Sequence, residues 1–225
     1  MKIAFSLLHY NNKKITEEAV QYLQQLKDID ACEIIIVDNA SPNGSGLELE
    51  EEYKGIRNIH VLLNDKNGGF AYGNNVGYAF AKKSGCDVIV VMNNDIFIKD
   101  TEFVSKLLDV ASKTETEVIA PHIIGRNGPQ NPFRLAPLSD ARLRKMYIYN
   151  ASVNMIYHIP GIRNIVASFL DRKNTKKVVS EKAITDGINC IPHGACVIYL
   201  PTWVMKEVFA FVPHTFMYFV EDVLA

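Results

Sequence analysis

Two amides and a carboxylate end the most apolar segment of the chain. Residues 88–92 are five consecutive apolar residues, and Asn93, Asn94 and Asp95 follow them directly. Such a run predicts a strand that is buried on both faces, as in a parallel sheet. Ligands bind beyond the carboxyl ends of these strands, and an Asp beside amides offers hard oxygen ligands for Mg²⁺ or Mn²⁺. An ordinary polar turn has the same composition, so both interpretations stay open on these residues alone.

Three more polar clusters follow predicted strands. They are His9-Tyr10-Asn11-Asn12, Asp38-Asn39-Ala40-Ser41 and residues 64–70. We expect all four clusters to share one edge of one sheet, because parallel strands have their carboxyl ends on the same side. An Asp after the second strand can accept hydrogen bonds from a ribose hydroxyl or a base N–H, as in NAD enzymes. Residues 8–15 contain no glycine, however, and cannot form the phosphate loop of an NAD enzyme.

The segment after the third predicted strand is rich in glycine. It contains Gly68, Gly69 and Gly73 but lacks the Gly-Lys-Ser/Thr ending of a P-loop. Glycine there either lets the backbone approach a nucleotide closely or only turns the chain. The local sequence leaves these two interpretations open.

The elements that must position these clusters alternate along the first half. Apolar runs predict strands at residues 3–8, 33–37, 59–63 and 88–92, and helical spacing predicts a helix capped by Thr16 and helices at 47–53 and 71–83. This alternation predicts right-handed βαβ units, a mostly parallel sheet and an α/β fold. Farther along, we expect a helix over 103–112, a short strand over 118–121 and a further strand within 188–200.

Composition limits the possible classes of protein. A length of 225 residues suits one large domain or two small ones, and a net charge of −1 gives no general attraction to nucleic acid. The four cysteines are scattered, as expected for reduced, buried thiols. The first apolar stretch is too short for a signal peptide, so we expect a cytoplasmic protein.

A basic segment lies in the second half. Residues 141–177 contain eight Lys or Arg side chains, one acid and interleaved apolar residues. One interpretation is a pair of helices with a solvated basic face. The other is a peripheral contact with anionic lipid headgroups at the inner face of the cell membrane.

The order of motifs resembles that of family 2 glycosyltransferases of the GT-A fold, most closely the bacterial rhamnosyltransferase-like enzymes that build surface polysaccharides. The matching segments are Val37-Asp38-Asn39-Ala40-Ser41, Asn67-Gly68-Gly69-Phe70-Ala71 with Asn74-Asn75 and Gly77, Asn93-Asn94-Asp95, His193-Gly194-Ala195-Cys196 and residues 216–223. The resemblance covers nearly the whole chain.

The resemblance implies an inverting transfer from a nucleotide-diphosphate sugar to a glycan or lipid-linked acceptor, with Mn²⁺ or Mg²⁺. Asp95 would hold the metal, and the triplet begins with Asn where the family pattern has Asp, which leaves one carboxylate for that task. The implied nucleotide-binding residues are His9, Tyr10, Asn11, Asp38, Asn39, Asn67, Gly69, Phe70, Asn74 and Asn94. His193, Gly194 and Ala195 would lie on the acceptor side.

By the same resemblance, Asp222 would be the catalytic base, and Glu221 would help to position it. One carboxylate can deprotonate the acceptor hydroxyl on the face opposite the leaving diphosphate, whose growing charge a metal neutralises. The alternative is that Glu221 and Asp222 form an acidic tail.

The resemblance also implies two halves of one GT-A domain. Residues 1–120 would bind the nucleotide sugar, and residues 121–225 would bind the acceptor and be shortened at the C-terminus. We therefore keep a catalytically impaired nucleotide-sugar-binding protein as the alternative to an active transferase. The sequence does not identify the donor base, the sugar, the acceptor or the oligomeric state.

Overall fold

The computed structural model describes residues 1–125, 128–129, 139, 141, 144–145 and 193–212. One compact unit contains residues 1–121 and the described residues after 192, and a second unit lies within 122–191. Residues 216–223, Cys190 and most of 141–177 lie outside the described residues.

Strands and helices alternate through the first unit. Its elements are β1 (Ile3–His9), α1 (Lys13–Gln24), a 3₁₀ turn (Ile29–Ala31), β2 (Glu33–Asp38), α2 (Ser45–Glu52), β3 (Ile59–Leu63), α3 (Gly69–Lys83), β4 (Val88–Asn93), α4 (Phe103–Lys113) and β5 (Val118–Ile119). In the second unit, β6 (Ile124–Gly125) pairs with β7 (Gly128–Pro129) in antiparallel fashion. The first unit continues with β8 (Cys196–Tyr199) and α5 (Pro201–Lys206).

The described strands of the first unit form a six-stranded sheet in the order β3-β2-β1-β4-β8-β5. The pairs β2–β3, β1–β2 and β1–β4 are parallel, whereas β8 runs antiparallel to both β4 and β5. The predicted α/β fold with a mostly parallel central sheet is therefore confirmed. The continuous apolar runs follow from burial of the central strands on both faces, and Ile34, Ile35 and Ile36 are fully buried.

Helix α3 lies close against the sheet because it carries glycine where it meets β1 and β2. A Cβ on Gly77 would overlap the hydroxyl of Ser6 in β1 and lie 2.9 Å from Cγ2 of Val37 in β2. The absence of a side chain at residue 77 sets the distance between helix and sheet. It also holds the glycine-rich start of α3 at the end of the parallel strands.

Several predicted element boundaries differ from the structure. Helix α1 starts at Lys13, because the side chain of Asn12 accepts a hydrogen bond from Ile15 N at 3.3 Å and caps the helix. The prediction of Thr16 as the cap is wrong, since this residue lies inside the helix and is buried. Helices α2 and α3 each start two residues earlier than predicted, at Ser45 and Gly69.

An amide side chain of α3 binds the chain after β8 through three hydrogen bonds. Asn75 Oδ1 accepts hydrogen bonds from the backbone N–H groups of Ala210 at 3.0 Å and Phe211 at 2.9 Å. Its Nδ2 donates to Phe211 O at 2.7 Å. The ring of Phe211 packs against Phe70, with centroids 5.4 Å apart. This segment precedes the acidic motif of residues 221 and 222.

The described cysteines are free and buried, as predicted. Burial raises the pKa of Cys32 and of Cys86 to about 11 and that of Cys196 to about 12, so these thiols are protonated at neutral pH. Among the described residues, no helix has both the length and the apolar character needed to cross a membrane.

Candidate functional site

The four polar clusters that the sequence places after strands lie at one edge of the sheet. The strand register pairs His9 with Asp38, Leu8 with Asn93 and Asp38 with Leu63. The carboxyl ends of β1, β2, β3 and β4 are thus neighbours. This edge is the candidate site.

Asp38 has a buried carboxylate held by the turn that follows it. Both of its carboxylate oxygens accept a hydrogen bond from Ser41 N at 3.2 Å, and the Ser41 hydroxyl also donates to Oδ1. Ala40 turns the chain with a φ of 58°, in the left-handed region. Behind the carboxylate lies Gly46 in the first turn of α2, where a Cβ would overlap Oδ2. The orientation of Asp38 is therefore fixed before any ligand binds.

The residues at the end of β1 differ in whether their side chains are free to contact a ligand. His9 is fully buried, with Nδ1 2.7 Å from Thr16 Oγ1 and Nε2 2.8 Å from Ser45 Oγ. Both ring nitrogens are thus hydrogen-bonded within the protein, which leaves neither free for a nucleotide. Tyr10 is 45% exposed. Asn11 has a φ of 63°, and its buried Oδ1 has no hydrogen-bond partner within the described residues.

Asn39 connects the loop after β2 to the glycine-rich start of α3. Its Nδ2 donates to Asn67 Oδ1 at 2.9 Å and to Gly69 O at 3.2 Å. Asn67 Oδ1 also accepts from Gly69 N at 3.0 Å, and Gly69 has a φ of 86°. The sequence left open whether glycine here turns the chain or lets a nucleotide approach the backbone. The positive φ of Gly69 shows that this glycine is needed for the turn.

Asn74 and Phe70 lie farther into α3. The Nδ2 of Asn74 donates to Phe70 O at 2.9 Å, whereas its buried Oδ1 has no hydrogen-bond partner within the described residues. A buried carbonyl oxygen without a donor is costly. Asn11 and Asn74 therefore each present an acceptor that a ligand or a water molecule can satisfy.

The turn after β4 carries the predicted metal residue. Asp95 is exposed, and its carboxylate makes no hydrogen bond or ion pair within the described part of the chain. Asn94 Nδ2 donates to Thr16 Oγ1 at 2.9 Å. No group of three His, Cys, Asp or Glu side chains among the described residues would hold a metal ion. One free carboxylate suits a cation that takes its other ligands from substrate phosphates and water.

The predicted acceptor-side segment lies beside this turn. Asn93 N donates to Ala195 O at 2.8 Å, and β8 begins at the next residue, opposite Met92. His193 Nδ1 accepts from Ala195 N at 3.2 Å, which holds the ring over the turn around Gly194. The structure thus joins His193, Gly194 and Ala195 to the end of β4.

Residues 7–178 match the model of glycosyl transferase family 2. The chain belongs to this family. The match decides against an NAD enzyme and confirms the family and the GT-A fold that the motif order predicts.

One curated relative of this family 2 chain is dTDP-rhamnosyl transferase RfbF from Shigella flexneri. The two are 24% identical over 125 residues, which cover 52% of this chain and 40% of the relative. The chain therefore spans less than half the length of that relative.

The family 2 chain also resembles solved structures. The crystal structure of residues 1–349 of S. aureus TarS in complex with UDP-GlcNAc has a TM-score of 0.48 and 22% identity, over 59% of this chain and 38% of that one. The mannosyltransferase PcManGT from Pyrobaculum calidifontis, in complex with GDP-Man and Mn²⁺, has a TM-score of 0.46 and 15% identity, over 55% of this chain and 35% of that one.

Three further residues contribute to this candidate site, although the sequence does not single them out. Thr16 and Ser45 hold the ring of His9, and Asn75 holds the chain before the acidic motif. A Ser or Thr in an amphipathic helix gives no signal of such a contact. Asn75 lies within the glycine-rich motif that resembles the family, and a polar residue on a helix that packs against the sheet indicates a buried hydrogen bond. The predicted catalytic residues Glu221 and Asp222 lie outside the described residues.

Proposed function

We propose that this family 2 chain carries the donor-binding part of an inverting, metal-dependent glycosyltransferase that uses a nucleotide-diphosphate sugar. The observation that carries the proposal is the common edge at which Asp38, Asn39 and the Asn94-Asp95 turn meet. Asp38 would bind the base or ribose, and Asn67, Gly69 and Phe70 would line the nucleotide pocket. Tyr10, Asn11, Asn74 and Asn94 would complete it.

The donor that we propose is a dTDP-sugar, with a deoxyhexose such as rhamnose as the transferred group. The support is the likeness to a dTDP-rhamnosyl transferase over 125 residues. Asp38 is compatible with such a donor, because a carboxylate accepts hydrogen bonds from the imide N–H of thymine or from a sugar hydroxyl.

Asp95 and the carbonyl oxygen of Asn94 would hold Mn²⁺ or Mg²⁺, which would neutralise charge on the leaving diphosphate. Asp222 would take the proton of the acceptor hydroxyl, while the oxygen of that hydroxyl attacks the anomeric carbon from the face opposite the diphosphate. The attack forms the new glycosidic bond and breaks the bond to the diphosphate, which inverts the anomeric centre. Glu221 would position the base, and His193 would lie beside the acceptor.

A thermal-shift panel of dTDP, UDP and GDP tests the nucleotide site. A ligand that binds only the folded state raises the melting temperature, and we expect dTDP to give the largest rise. Asp38→Ala should abolish the rise, while Glu50→Ala, an exposed change on α2, should keep it. A protein whose melting temperature responds to none of the three would contradict the proposal. Nucleotide binding without sugar transfer to any acceptor would instead support the impaired binding protein.

The acceptor and its location are further parts of the proposal. A glycan or lipid-linked acceptor of surface polysaccharide synthesis would be used at the cytoplasmic face of the membrane, with residues 141–177 touching anionic lipid. Eight basic side chains against one acid in that segment support this contact. Vesicles with and without phosphatidylserine, at low and high salt, test it. Equal binding to both vesicle types would contradict it.

A further inference from the structure

A buried imidazole connects the two loops that the proposed function assigns to the donor. The chain of contacts runs from Asn94 to Thr16, His9, Ser45 and Asn43, and we call these five residues the His9 relay. Its links are 2.9 Å from Asn94 Nδ2 to Thr16 Oγ1, 2.7 Å on to His9 Nδ1, 2.8 Å from His9 Nε2 to Ser45 Oγ and 2.7 Å on to Asn43 Oδ1. The relay crosses from the end of β4 through α1 and β1 to the start of α2.

The direction of each hydrogen bond in the relay follows from one backbone group. Ser45 N donates to Asn43 Oδ1 at 3.1 Å, which identifies that atom as the amide oxygen. The Ser45 hydroxyl must therefore donate its one hydrogen to Asn43 Oδ1, so it accepts a hydrogen bond from His9. The proton of the imidazole is thus on Nε2.

The other half of the relay follows from this tautomer. In a neutral imidazole with its proton on Nε2, Nδ1 can only accept, so the one hydrogen of the Thr16 hydroxyl goes to Nδ1 at 2.7 Å and not to the more distant Asn12 O at 3.3 Å. Thr16 Oγ1 then accepts from Asn94 Nδ2. Burial lowers the pKa of His9, although Asp38 at 3.9 Å acts in the opposite direction, so the neutral ring is the form present at pH 7.

The relay fixes groups at both of its ends. At one end it commits the amide nitrogen of Asn94 to Thr16 and leaves the carbonyl oxygen of Asn94, next to Asp95, without a partner among the described residues. At the other end it holds the first residue of α2, directly before the Gly46 that backs the carboxylate of Asp38. Asn43 Nδ2 also donates to Asn11 O at 2.8 Å, which ties in the loop after β1.

We propose that the His9 relay sets the relative placement of the metal-binding turn and the nucleotide-binding loop, so that Thr16, His9 and Ser45 are positioning residues for the donor. This inference rests on the proposed function and assigns to His9 a role behind the site, in place of direct nucleotide contact. Each end of the relay serves a different part of the donor. The Thr16 end serves the diphosphate and its cation, and the Ser45 end serves the base and ribose.

Calorimetric titration of the full chain with dTDP, with and without Mn²⁺, tests the relay. Thr16→Val keeps the shape of the side chain but removes the hydroxyl and with it the links to Asn94 and His9. It should reduce the Mn²⁺-dependent gain in affinity about five- to tenfold, because the metal-binding turn loses the one hydrogen bond that joins Asn94 to the relay. Thr16→Ser retains the hydroxyl and should retain the gain. Ser45→Ala should weaken dTDP binding without metal and leave the gain from Mn²⁺ unchanged.

Two substitutions of the ring itself provide a second, independent comparison. An Asn amide reaches the position of Nδ1 and a Gln amide reaches that of Nε2, so His9→Asn should behave like Ser45→Ala and His9→Gln like Thr16→Val. His60→Gln is the matched control, because His60 pairs with Glu33 at the opposite end of β2, at 2.7 Å. It should bind dTDP as the wild type does.

The outcomes separate the relay from the proposed function. A wild-type protein that binds no nucleotide would overturn both. Wild-type binding with an unchanged Mn²⁺-dependent gain in Thr16→Val and His9→Gln would overturn the relay alone. A loss in Thr16→Ser together with none in Thr16→Val would show that packing, and not the hydroxyl, is what matters, and would also overturn the relay.

Discussion

Gly46 lies directly behind the carboxylate of Asp38. A Cβ on residue 46 would lie 2.8 Å from Asp38 Cβ and would overlap the carboxylate itself, whereas nonbonded carbon atoms normally stay about 3.5 Å apart or more. The backbone of the first turn of α2 therefore restricts the orientation of Asp38 by steric contact. In the proposed function, this contact directs the carboxylate toward the nucleotide.

Gly46→Ala tests this steric contact between α2 and Asp38. The added methyl group must displace the Asp38 carboxylate, so we expect dTDP affinity to fall at least tenfold, close to the effect of Asp38→Ala. Leu47→Ala on the same helix is the control, since Leu47 is 62% exposed and its truncation leaves Asp38 untouched. Isothermal calorimetry gives both affinities. Unchanged affinity in Gly46→Ala would show that Asp38 is not a nucleotide contact.

A second prediction concerns Asn75 and the segment that leads to the acidic motif. Asn75→Ala leaves the buried N–H groups of Ala210 and Phe211 without acceptors, which should lower the free energy of unfolding by about 3 kcal/mol. Asn75→Asp keeps the acceptor but sets a buried carboxylate oxygen against Phe211 O in place of the donor, so this variant should also lose stability. Urea unfolding measures both. Equal stability of all three proteins would contradict the contact.

A third prediction concerns the distance between α3 and the sheet. Gly77→Ala places a methyl group on Ser6 Oγ and close to Val37 Cγ2, and overpacking of this kind costs about 1–3 kcal/mol. Adding Ser6→Gly to Gly77→Ala removes the closest contact and should restore part of the loss. Thermal unfolding of the single and double variants measures the coupling. Strictly additive losses would mean that the two residues do not meet.

A fourth prediction is a pH dependence that arises from His9. Its pKa in the folded protein is lowered by burial, whereas in the unfolded chain it is about 6.5. As the pH falls below about 6.5 the unfolded chain binds a proton that the folded protein does not, so the free energy of unfolding decreases, by at most about 1.4 kcal/mol per pH unit. The loss ends once the pH falls below the folded-state pKa.

Urea unfolding at pH 7, 6 and 5 measures this slope in the wild type and in His9→Asn. The variant has no imidazole at this position and should lose the His9 part of the slope. Glu33, whose pKa lies below its usual value of 4.5, acts at lower pH and outside this window. Identical slopes in both proteins would assign the pH dependence to other groups.

The strand ends were predictable from the sequence because the apolar runs stop abruptly. Asp38 and Asn93 end continuous buried strands, and the rule that parallel strands share a carboxyl edge brings them together. Helix boundaries were less predictable. A Thr followed by two Glu residues looks like a helix start, but Asn12 provides the cap four residues earlier.

The long-range contacts of the site could not be predicted from the sequence. His9 contacts Ser45 across 36 positions, and Asn75 contacts Ala210 across 135 positions. Such hydrogen bonds depend on how far each strand and helix extends and on which way its side chains face. The local sequence pattern predicts neither the end of an element nor the direction of a side chain accurately enough to identify a hydrogen bond. The sequence therefore left open whether His9 is a ligand contact or a structural residue, and the structure shows both of its ring nitrogens hydrogen-bonded within the protein.

The most direct test of the central claim is calorimetric titration of dTDP, UDP and GDP, each with and without Mn²⁺, into the wild type and Asp95→Ala. A site with one free carboxylate should bind Mn²⁺ well only when a diphosphate supplies further oxygen ligands. We predict that one nucleotide, dTDP, binds at least tenfold more tightly with Mn²⁺ and that Asp95→Ala abolishes this gain while leaving metal-free binding intact. Binding of none of the three nucleotides, or a gain from Mn²⁺ that persists in Asp95→Ala, would contradict the account.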